Sequence, residues 1–198
     1  RGGMGTVYLA ERDDGHFRKT VAVKLVRLGL EDEQALRRFR HERQILALMS
    51  HPGIARVYDA GTTGDGDPWF AMEYVAGLPI TEFCDRDRLT TRERLELFIE
   101  VCEAIQHAHQ RGVLHRDIKA QNVLVTREDG RARARVIDFG LAKAFDSPLL
   151  DGPVLTQLGF AVGTPSFMSP EQADHRLARD VDSRADVYSL GVLLYELL

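Results

Sequence analysis

The spacing of apolar residues predicts strands in the first part of the chain. Residues 6–10 and 20–26 are rich in β-branched and aromatic side chains, and Asp14-Gly15 between them is a pair typical of hairpin turns. Two further runs of the same kind predict strands at 54–60 and 69–74. This part of the chain therefore reads as β-rich.

From residue 90 onward the pattern changes to that of a helix. Thr90 and Glu93 have the spacing of a capping box, apolar residues then recur on one face, and Gly112 stands where a helix would end. The elements predicted after this helix are short strands at 123–125 and 135–137, joined through Asp129-Gly130. A β-rich part followed by a helical part predicts the α+β class.

Composition excludes several classes of protein. The 198 residues are 44% apolar and 28% charged with a net charge of -4, which argues against a general nucleic-acid or anionic-membrane binder. Cys84 and Cys102 form no C-x-x-C pair, so neither a disulfide framework nor a zinc site is predicted, and both thiols are expected to be reduced. No apolar run is long enough to span a membrane.

A glycine-rich segment, GGMGTV at residues 2–7, leads into the first predicted strand. Glycines allow the backbone to approach a phosphate group closely and to point its N–H groups at the anion, which suits Gly2, Gly3 and Gly5 to a phosphate-binding loop. A glycine-rich hairpin turn remains the alternative interpretation.

Two charged residues stand in apolar surroundings. Lys24 lies within the strand predicted at 20–26, and Glu42 falls on the apolar face of a helix predicted at 33–49. A carboxylate in an apolar stripe needs a partner, for which Lys24 is a candidate. The alternatives are a strand lysine that faces water and a glutamate at the edge of its stripe.

Three motifs in order identify the chain. HRDIKAQN occupies residues 115–122 after the helix end, DFG occupies 138–140 after a strand, and SPE occupies 169–171. Each is weak alone, but their order behind a glycine loop, a strand lysine and a helix glutamate makes chance no serious explanation. The whole chain resembles the eukaryotic-type protein kinase family, and SPEQA at 169–173 looks like its bacterial serine/threonine branch.

The resemblance implies a bilobal fold with ATP between the lobes. We expect a small antiparallel β lobe with one helix at residues 1–72, its first strand truncated, a hinge at 73–77, and a larger, mainly α lobe at 78–198 that lacks its later helices. The isolated segment is therefore expected to be poorly soluble or inactive. The cofactors implied are ATP and Mg²⁺, with Mn²⁺ as an alternative ion.

By the same resemblance, a set of residues surrounds the nucleotide. Glycines cover the phosphates, Val7 and Ala22 lie above adenine and Leu124 below it, and Met72 is the gatekeeper. The residues implied in nucleotide binding are Gly2, Gly3, Gly5, Val7, Ala22, Lys24, Met72, Glu73, Val75 and Leu124.

The resemblance also assigns the catalytic roles. Asp117 is expected to be the base and Lys119 to neutralise the γ-phosphate, while Lys24, oriented by Glu42, holds the α and β phosphates. Asn122 and Asp138 supply the oxygen ligands that Mg²⁺ prefers. A lysine two residues after the base is the family's mark of serine/threonine specificity. Ala120 departs from the family, which usually has proline there.

Regulation is expected in the segment between DFG and SPE. Thr156 lies where bacterial relatives often phosphorylate themselves, with Ser147 as a second candidate, and Arg116 is a cation that can pair with such a phosphate. An unmodified loop threonine is the alternative. Thr164 resembles the threonine that docks the substrate. A homodimer that supports autophosphorylation is consistent with this interpretation.

A pseudokinase is the alternative to an active enzyme. A pseudokinase would bind nucleotide without transfer, but the lysine, base and metal aspartate that pseudokinases lose are retained as Lys24, Asp117 and Asp138. The expected function is phosphoryl transfer from ATP to serine or threonine of protein substrates, without nucleic acid. The expected location is the cytoplasm, or the cytoplasmic face of a membrane if an anchor lies beyond the segment.

Other polar residues are given supporting roles or set aside. His115 is expected to pack and to hydrogen-bond, and Asp186 resembles the helix aspartate that braces the catalytic loop. His107 and His109 lie two apart on a helix, so they point to different faces and are poor joint metal ligands.

Overall fold

The computed structural model describes residues 5–13, 15, 18–26, 49–139, 165–173 and 181–198. Its first four strands are β1 Gly5–Asp13, β2 Arg18–Val26, β3 Val57–Thr62 and β4 Pro68–Glu73. They form an antiparallel sheet in the order β1-β2-β4-β3. Register places Ala22 opposite Met72 and Lys24 opposite Phe70, so these side chains share one face of the sheet.

The remainder of the described chain is mainly helical around a small sheet of order β5-β6-β7. Its elements are β5 Leu78–Pro79, α1 Ile80–Arg86, α2 Thr91–His109, a 3₁₀ helix Ala120–Asn122, β6 Val123–Glu128, β7 Arg131–Val136, a 3₁₀ helix Pro165–Phe167, α3 Pro170–Ala173 and α4 Ser183–Leu197. A β-rich part followed by a helical part confirms the predicted α+β class.

The predicted capping box begins α2. The Thr90 side chain accepts from the Glu93 N–H, and the Glu93 carboxylate accepts from the Thr90 N–H at 2.7 Å. The helix ends at His109 and is followed by Gly112 at φ +73°. Bonds from the Val113 N–H to the Ala108 carbonyl and from the Gly112 N–H to the His109 carbonyl complete a Schellman motif.

The predicted hairpin at Asp129-Gly130 is also present. Both residues have positive φ, +49° and +79°, which matches the right-handed twist of β6 and β7. Strands β6 and β7 are longer than the strands predicted at 123–125 and 135–137. The strand predicted at 54–60 is observed later, at Val57–Thr62, because Ile54 forms a parallel bridge with Val136 of β7 instead.

Backbone bonds from the segment before β3 join the two sheets. The Ala55 N–H donates to the Val136 carbonyl at 2.9 Å, and the Val136 N–H donates to the Gly53 carbonyl at 2.8 Å. The core is continuous across this junction, since buried residues of the first sheet and of the helical part belong to one cluster. Examples are Phe70, Ile80, Val101, Val136 and Leu193.

Some predictions fall outside the described residues. The helix predicted at 33–49 is one, except for its last residue, Met49, which is buried. The lobe boundaries at 1–72, 73–77 and 78–198 stay predictions. Among the helices of the described part, none is long and apolar enough to cross a membrane.

Replacing Gly77 by alanine should destabilise the fold. A Cβ at this position would lie 2.7 Å from the Val125 carbonyl oxygen, a backbone atom that cannot move aside cheaply. We expect Gly77→Ala to lower the free energy of unfolding by about 1–3 kcal/mol, measured by urea denaturation of the intact protein.

The matched control is Gly191→Ala in the exposed middle of α4, where an added Cβ meets nothing within 4 Å. This change should stabilise by about 0.5–1 kcal/mol, because glycine is a poor helix former. Equal effects of the two substitutions would contradict the close approach of β5 and β6 at Gly77.

Candidate functional site

A buried lysine of the first sheet pairs with a carboxylate from the helical part. Lys24 is 5% exposed, and its Nζ donates to Oδ1 of Asp138, which follows β7. A buried ammonium group is costly unless a counter-charge compensates it, so this pair fixes the end of β7 against β2. Glu42, the partner predicted from the sequence, lies outside the described residues.

The segment between α2 and β6 holds the carboxylate of Asp117. Lys119 Nζ lies 2.8 Å from Asp117 Oδ2, and Asn122 Nδ2 donates to Oδ2 at 2.9 Å and to the Asp117 carbonyl at 2.8 Å. Two donors therefore orient one carboxylate oxygen. Asn122 makes both of these bonds through its amide nitrogen, so its amide oxygen takes part in neither.

A backbone bond places the two predicted metal ligands near each other. The Ile137 N–H donates to the Asn122 carbonyl at 2.9 Å, and Ile137 directly precedes Asp138. Asp138 has φ +60°, a conformation that is uncommon outside glycine. The structure thus brings Asp117, Asn122, Asp138 and Lys24 to one region.

His115 connects the segment that holds Asp117 to the segment that follows β7. Its ring is fully buried, its Nδ1 accepts from the Asp117 N–H at 3.2 Å, and its Nε2 donates to the Ile137 carbonyl at 3.1 Å. Only a neutral ring can accept at one nitrogen and donate at the other. Burial lowers the pKa of His115 below its ordinary value, in agreement with this state. The packing role expected from the sequence is confirmed.

Asp186 of α4 supports the same segment from the other side. Its Oδ2 accepts from the His115 N–H at 2.8 Å and lies 2.7 Å from His109 Nε2, and its Oδ1 accepts from the Arg116 N–H at 2.8 Å. The carboxylate is 1% exposed. Burial alone would raise the pKa of Asp186, but the bonds from His109 and from the two amides lower its pKa below the ordinary value.

Three of the apolar residues predicted around the nucleotide lie on the sheet face that carries Lys24. Val7 of β1 is opposite Lys24 in the register, and Ala22 is opposite Met72. Val7 is 57% exposed, whereas Met72 is 7% exposed. Leu124, at the start of β6, lies in the second sheet, where it pairs with Pro79 of β5.

Gly5 begins β1 at φ +151°, where any other residue would be strained. A Cβ there would lie 2.2 Å from the Leu25 carbonyl oxygen, so only glycine fits. The other glycines and the predicted regulatory residues lie outside the described part of the chain: Gly2, Gly3, Thr156 and Thr164.

Two supporting contacts are not predicted from the sequence. His109 is considered there only as a poor metal ligand, yet in the structure it bonds to Asp186. Gln172 of α3 donates from Nε2 to the Arg116 carbonyl at 3.0 Å, so the SPEQA motif contacts the HRDIKAQN segment directly. Both contacts join residues more than fifty positions apart, and no local periodicity signals them.

The donor set fits magnesium. The described residues include no group of three His, Cys, Asp or Glu side chains that could hold a metal ion. Mg²⁺ commonly takes one or two protein oxygens and completes its shell with water and substrate phosphates, which a carboxylate and an amide oxygen satisfy. Asn122 and Asp138 would be those ligands.

Comparison with known proteins agrees over the whole length. The family model "Protein kinase domain" matches residues 1–198. Serine/threonine-protein kinase PknB of Mycolicibacterium smegmatis is 38% identical over 202 residues, which cover 100% of this chain and 31% of that protein. Serine/threonine-protein kinase pkn3 of Myxococcus xanthus is 39% identical over 200 residues, covering 100% of this chain and 36% of that protein.

The fold agrees as well. The crystal structure of the Mycobacterium tuberculosis PknI kinase domain matches with a TM-score of 0.71 and 33% identity, covering 100% of this chain and 70% of that one. The chain spans about a third of the length of the two curated relatives. With a family model that matches it from end to end and a bilobal α+β fold, this chain belongs to the protein kinase domain family.

Proposed function

We propose that the chain is the catalytic domain of a kinase that transfers the γ-phosphoryl group of ATP to serine or threonine of proteins. One observation carries the proposal: Lys119 and Asn122 orient the Asp117 carboxylate, and a backbone bond ties Asn122 to the residue before Asp138. A base and two metal ligands on one framework are what phosphoryl transfer requires.

Each residue has a defined task in this reaction. Bound Mg²⁺–ATP supplies the transferable phosphoryl group and the divalent charge that offsets its oxygens. Asp117 takes the proton of the substrate hydroxyl, and Lys119, already 2.8 Å from that carboxylate, neutralises charge on the group in transfer. Lys24 would hold the α and β phosphates, and Asn122 and Asp138 would hold the metal. Mn²⁺ could replace Mg²⁺ at an oxygen site of this kind.

The backbone after β4 supports the predicted adenine contacts. The Glu73 N–H already donates to the Arg56 carbonyl at 2.8 Å, and the Val75 carbonyl already accepts from the Gly77 N–H at 2.9 Å. A purine edge would therefore use the Glu73 carbonyl and the Val75 N–H. Val7, Ala22, Met72 and Leu124 would supply the apolar surfaces.

Substrate class and cellular setting are part of the proposal. Lysine at 119 and the names of the relatives, all serine/threonine-protein kinases, favour a serine or threonine acceptor. We place the domain in the cytoplasm, since ATP is the donor and Cys84 and Cys102 are free thiols. Self-modification of the kind proposed for Thr156 would bring two copies of the domain together, at least transiently.

Replacing the base tests the function directly. We expect Asp117→Asn to lower phosphoryl transfer by about 10²–10⁴-fold, the usual contribution of general base catalysis. The measurement is radiolabel transfer from ATP to a generic protein substrate by the intact protein. Nucleotide binding, followed by thermal shift, should persist because Asp117 is not assigned to the nucleotide.

The matched control is Asp65→Asn in the exposed loop between β3 and β4, which should leave transfer unchanged. Equal signal from the wild type and Asp117→Asn would contradict the assignment of the base. Nucleotide binding without transfer in the wild type would establish the pseudokinase alternative.

The support from α4 gives a second test. Asp186→Asn keeps the size of the side chain but places an amide against buried N–H donors, so we expect a loss of about 1–3 kcal/mol in the free energy of unfolding at pH 7 together with reduced transfer. Because the folded pKa of Asp186 is lowered, its contribution is present at neutral pH. The loss should shrink as pH falls below the ordinary aspartate pKa of 3.8.

Asp182→Asn is the control on the same helix. Asp182 caps α4 by accepting from the Arg184 N–H, and asparagine caps helices equally well. A near-neutral effect is expected, measured by urea denaturation. If both variants lost the same stability, the inference that Asp186 supports the HRDIKAQN segment would be wrong.

The regulatory part is tested by mass spectrometry. After incubation with Mg²⁺ and ATP, we expect phosphate on Thr156, with Ser147 as the second site, and none in the Asp117→Asn variant. A phosphate there would meet the Arg116 cation beside the base. Full-length active kinase with Thr156 wholly unmodified would remove this part of the proposal.

A further inference from the structure

Two histidines meet where the segment before β3 packs on α2. His51 lies in the loop that follows Met49, and His107 lies in the last turn of α2. Their ring centroids are 4.9 Å apart with the planes tilted by 42°. We call these two residues the histidine pair. It lies outside the set of residues assigned to nucleotide, metal or base.

Hydrogen bonds define the tautomer of each ring. His51 Nδ1 accepts from the Gly53 N–H at 3.0 Å. His107 Nδ1 lies 3.3 Å from an Arg111 guanidinium nitrogen, which can only donate, so Nδ1 of His107 is also an acceptor. The His107 ring therefore carries its proton on Nε2 and is neutral in this arrangement. A second proton on His107, at Nδ1, would remove the acceptor for Arg111.

His107 has little to stabilise a positive charge. Its Nε2 is buried and is the one buried side-chain polar atom without a hydrogen-bond partner among the described residues. Burial, then the Arg111 charge, then His51 lower the pKa of His107 below its ordinary value of 6.5. Glu103 lies one turn earlier on α2 with its side chain exposed. Glu100, two turns earlier, is bonded to Arg133 and so is already compensated.

The charges near His51 are also largely balanced. His51 shares a cavity of about 400 Å³ with Arg56, Glu73 and Arg135. Glu73 accepts from the Arg56 N–H at 3.2 Å and lies 3.8 Å from the Arg135 guanidinium group. Arg135 also bonds to Glu128 at 2.8 Å, so the charged groups on this side of the loop are largely engaged with one another.

The loop held by His51 carries the junction between the sheets. Gly53, whose N–H bonds to His51, accepts from the Val136 N–H through its carbonyl at 2.8 Å. A Cβ on Gly53 would lie 3.2 Å from Ala104 Cβ and from His51 Nδ1, so the loop fits closely between α2 and His51. Val136 ends β7 and lies two residues before Asp138.

We propose that the histidine pair is a pH-sensitive device: while His107 is neutral it packs against His51, which holds the 51–55 loop on β7, and protonation of His107 below neutral pH loosens this junction and with it the position of Asp138. The regulation of nucleotide binding by this device rests on the proposed function, whereas the loosening of the junction between the 51–55 loop and β7 does not.

The direction of the pH effect follows from linkage. A histidine whose pKa is lowered in the folded protein binds fewer protons than in the unfolded or opened chain at pH values between the two pKa values. The closed junction is therefore fully favoured above the ordinary pKa of 6.5 and loses stability as pH falls below it. Each proton taken up on opening shifts the equilibrium by about tenfold per pH unit.

Hydrogen exchange of the full-length protein at pH 7.5 and 5.5, corrected for intrinsic exchange, tests the device. The readout is the protection of the amide of Val136, which donates to Gly53. In the wild type we expect protection to fall by about three- to tenfold between the two pH values, tenfold being the limit for one histidine. The double variant His51→Asn, His107→Asn keeps an acceptor oxygen close to each Nδ1 position but cannot be protonated, and its protection should fall less than about threefold.

An equal loss of protection in the wild type and the double variant, or no loss in the wild type, would overturn the proposal. If the double variant fails to fold, His107→Phe keeps a ring against His51 without a titrating group, and the same comparison applies. The dissociation constant for Mg²⁺–ATP, measured at both pH values, should rise at pH 5.5 in the wild type alone. An unchanged constant would overturn the link to Asp138, whereas absence of transfer at every pH would count against the kinase assignment only.

Discussion

The ammonium group of Lys24 is buried on the face of a β-sheet, where an unpaired charge would cost several kcal/mol. Its compensation comes from Asp138, which is 114 residues away in the chain. This requirement fixes the end of β7 against β2 and so sets the distance between the first sheet and the helical part. The backbone bond between Ile137 and Asn122 then carries the same constraint into the segment that holds Asp117.

The second buried charge, Asp186, is satisfied in a different way. Its partners are the N–H groups of His115 and Arg116 and the His109 ring, which are fixed parts of the protein. The partner of Asp138 is a flexible lysine side chain that could exchange the carboxylate for phosphate oxygens. A permanent support and an exchangeable pair, placed on two sides of one loop, suit a site that must stay rigid while its ligands come and go.

Local chemistry could be predicted from the sequence, whereas long-range pairing could not. The capping box at Thr90 and the hairpin at Asp129-Gly130 depend on neighbouring residues, and both were predicted correctly. The motif residues were found by resemblance, although their contacts with each other were not. The start of β3 was misplaced because Ile54 binds β7, a tertiary contact that overrides an apolar run. The bond from Gln172 to Arg116 had no local signal at all.

Backbone strain argues independently for where the function lies. Four described residues other than glycine have positive φ. For two of them a turn explains it: Arg88 lies in a turn closed by a short-range backbone bond, and Asp129 lies in the hairpin between β6 and β7. Arg116 and Asp138 have φ +63° and +60° without such a turn. The Asp186 and Gln172 side chains hold Arg116, and Lys24 holds Asp138. Such conformations cost about 1–3 kcal/mol each and persist only where surrounding contacts enforce them. Here those contacts come from residues far away in the chain. Arg116 precedes Asp117, the proposed base, and Asp138 itself carries a carboxylate assigned to metal binding.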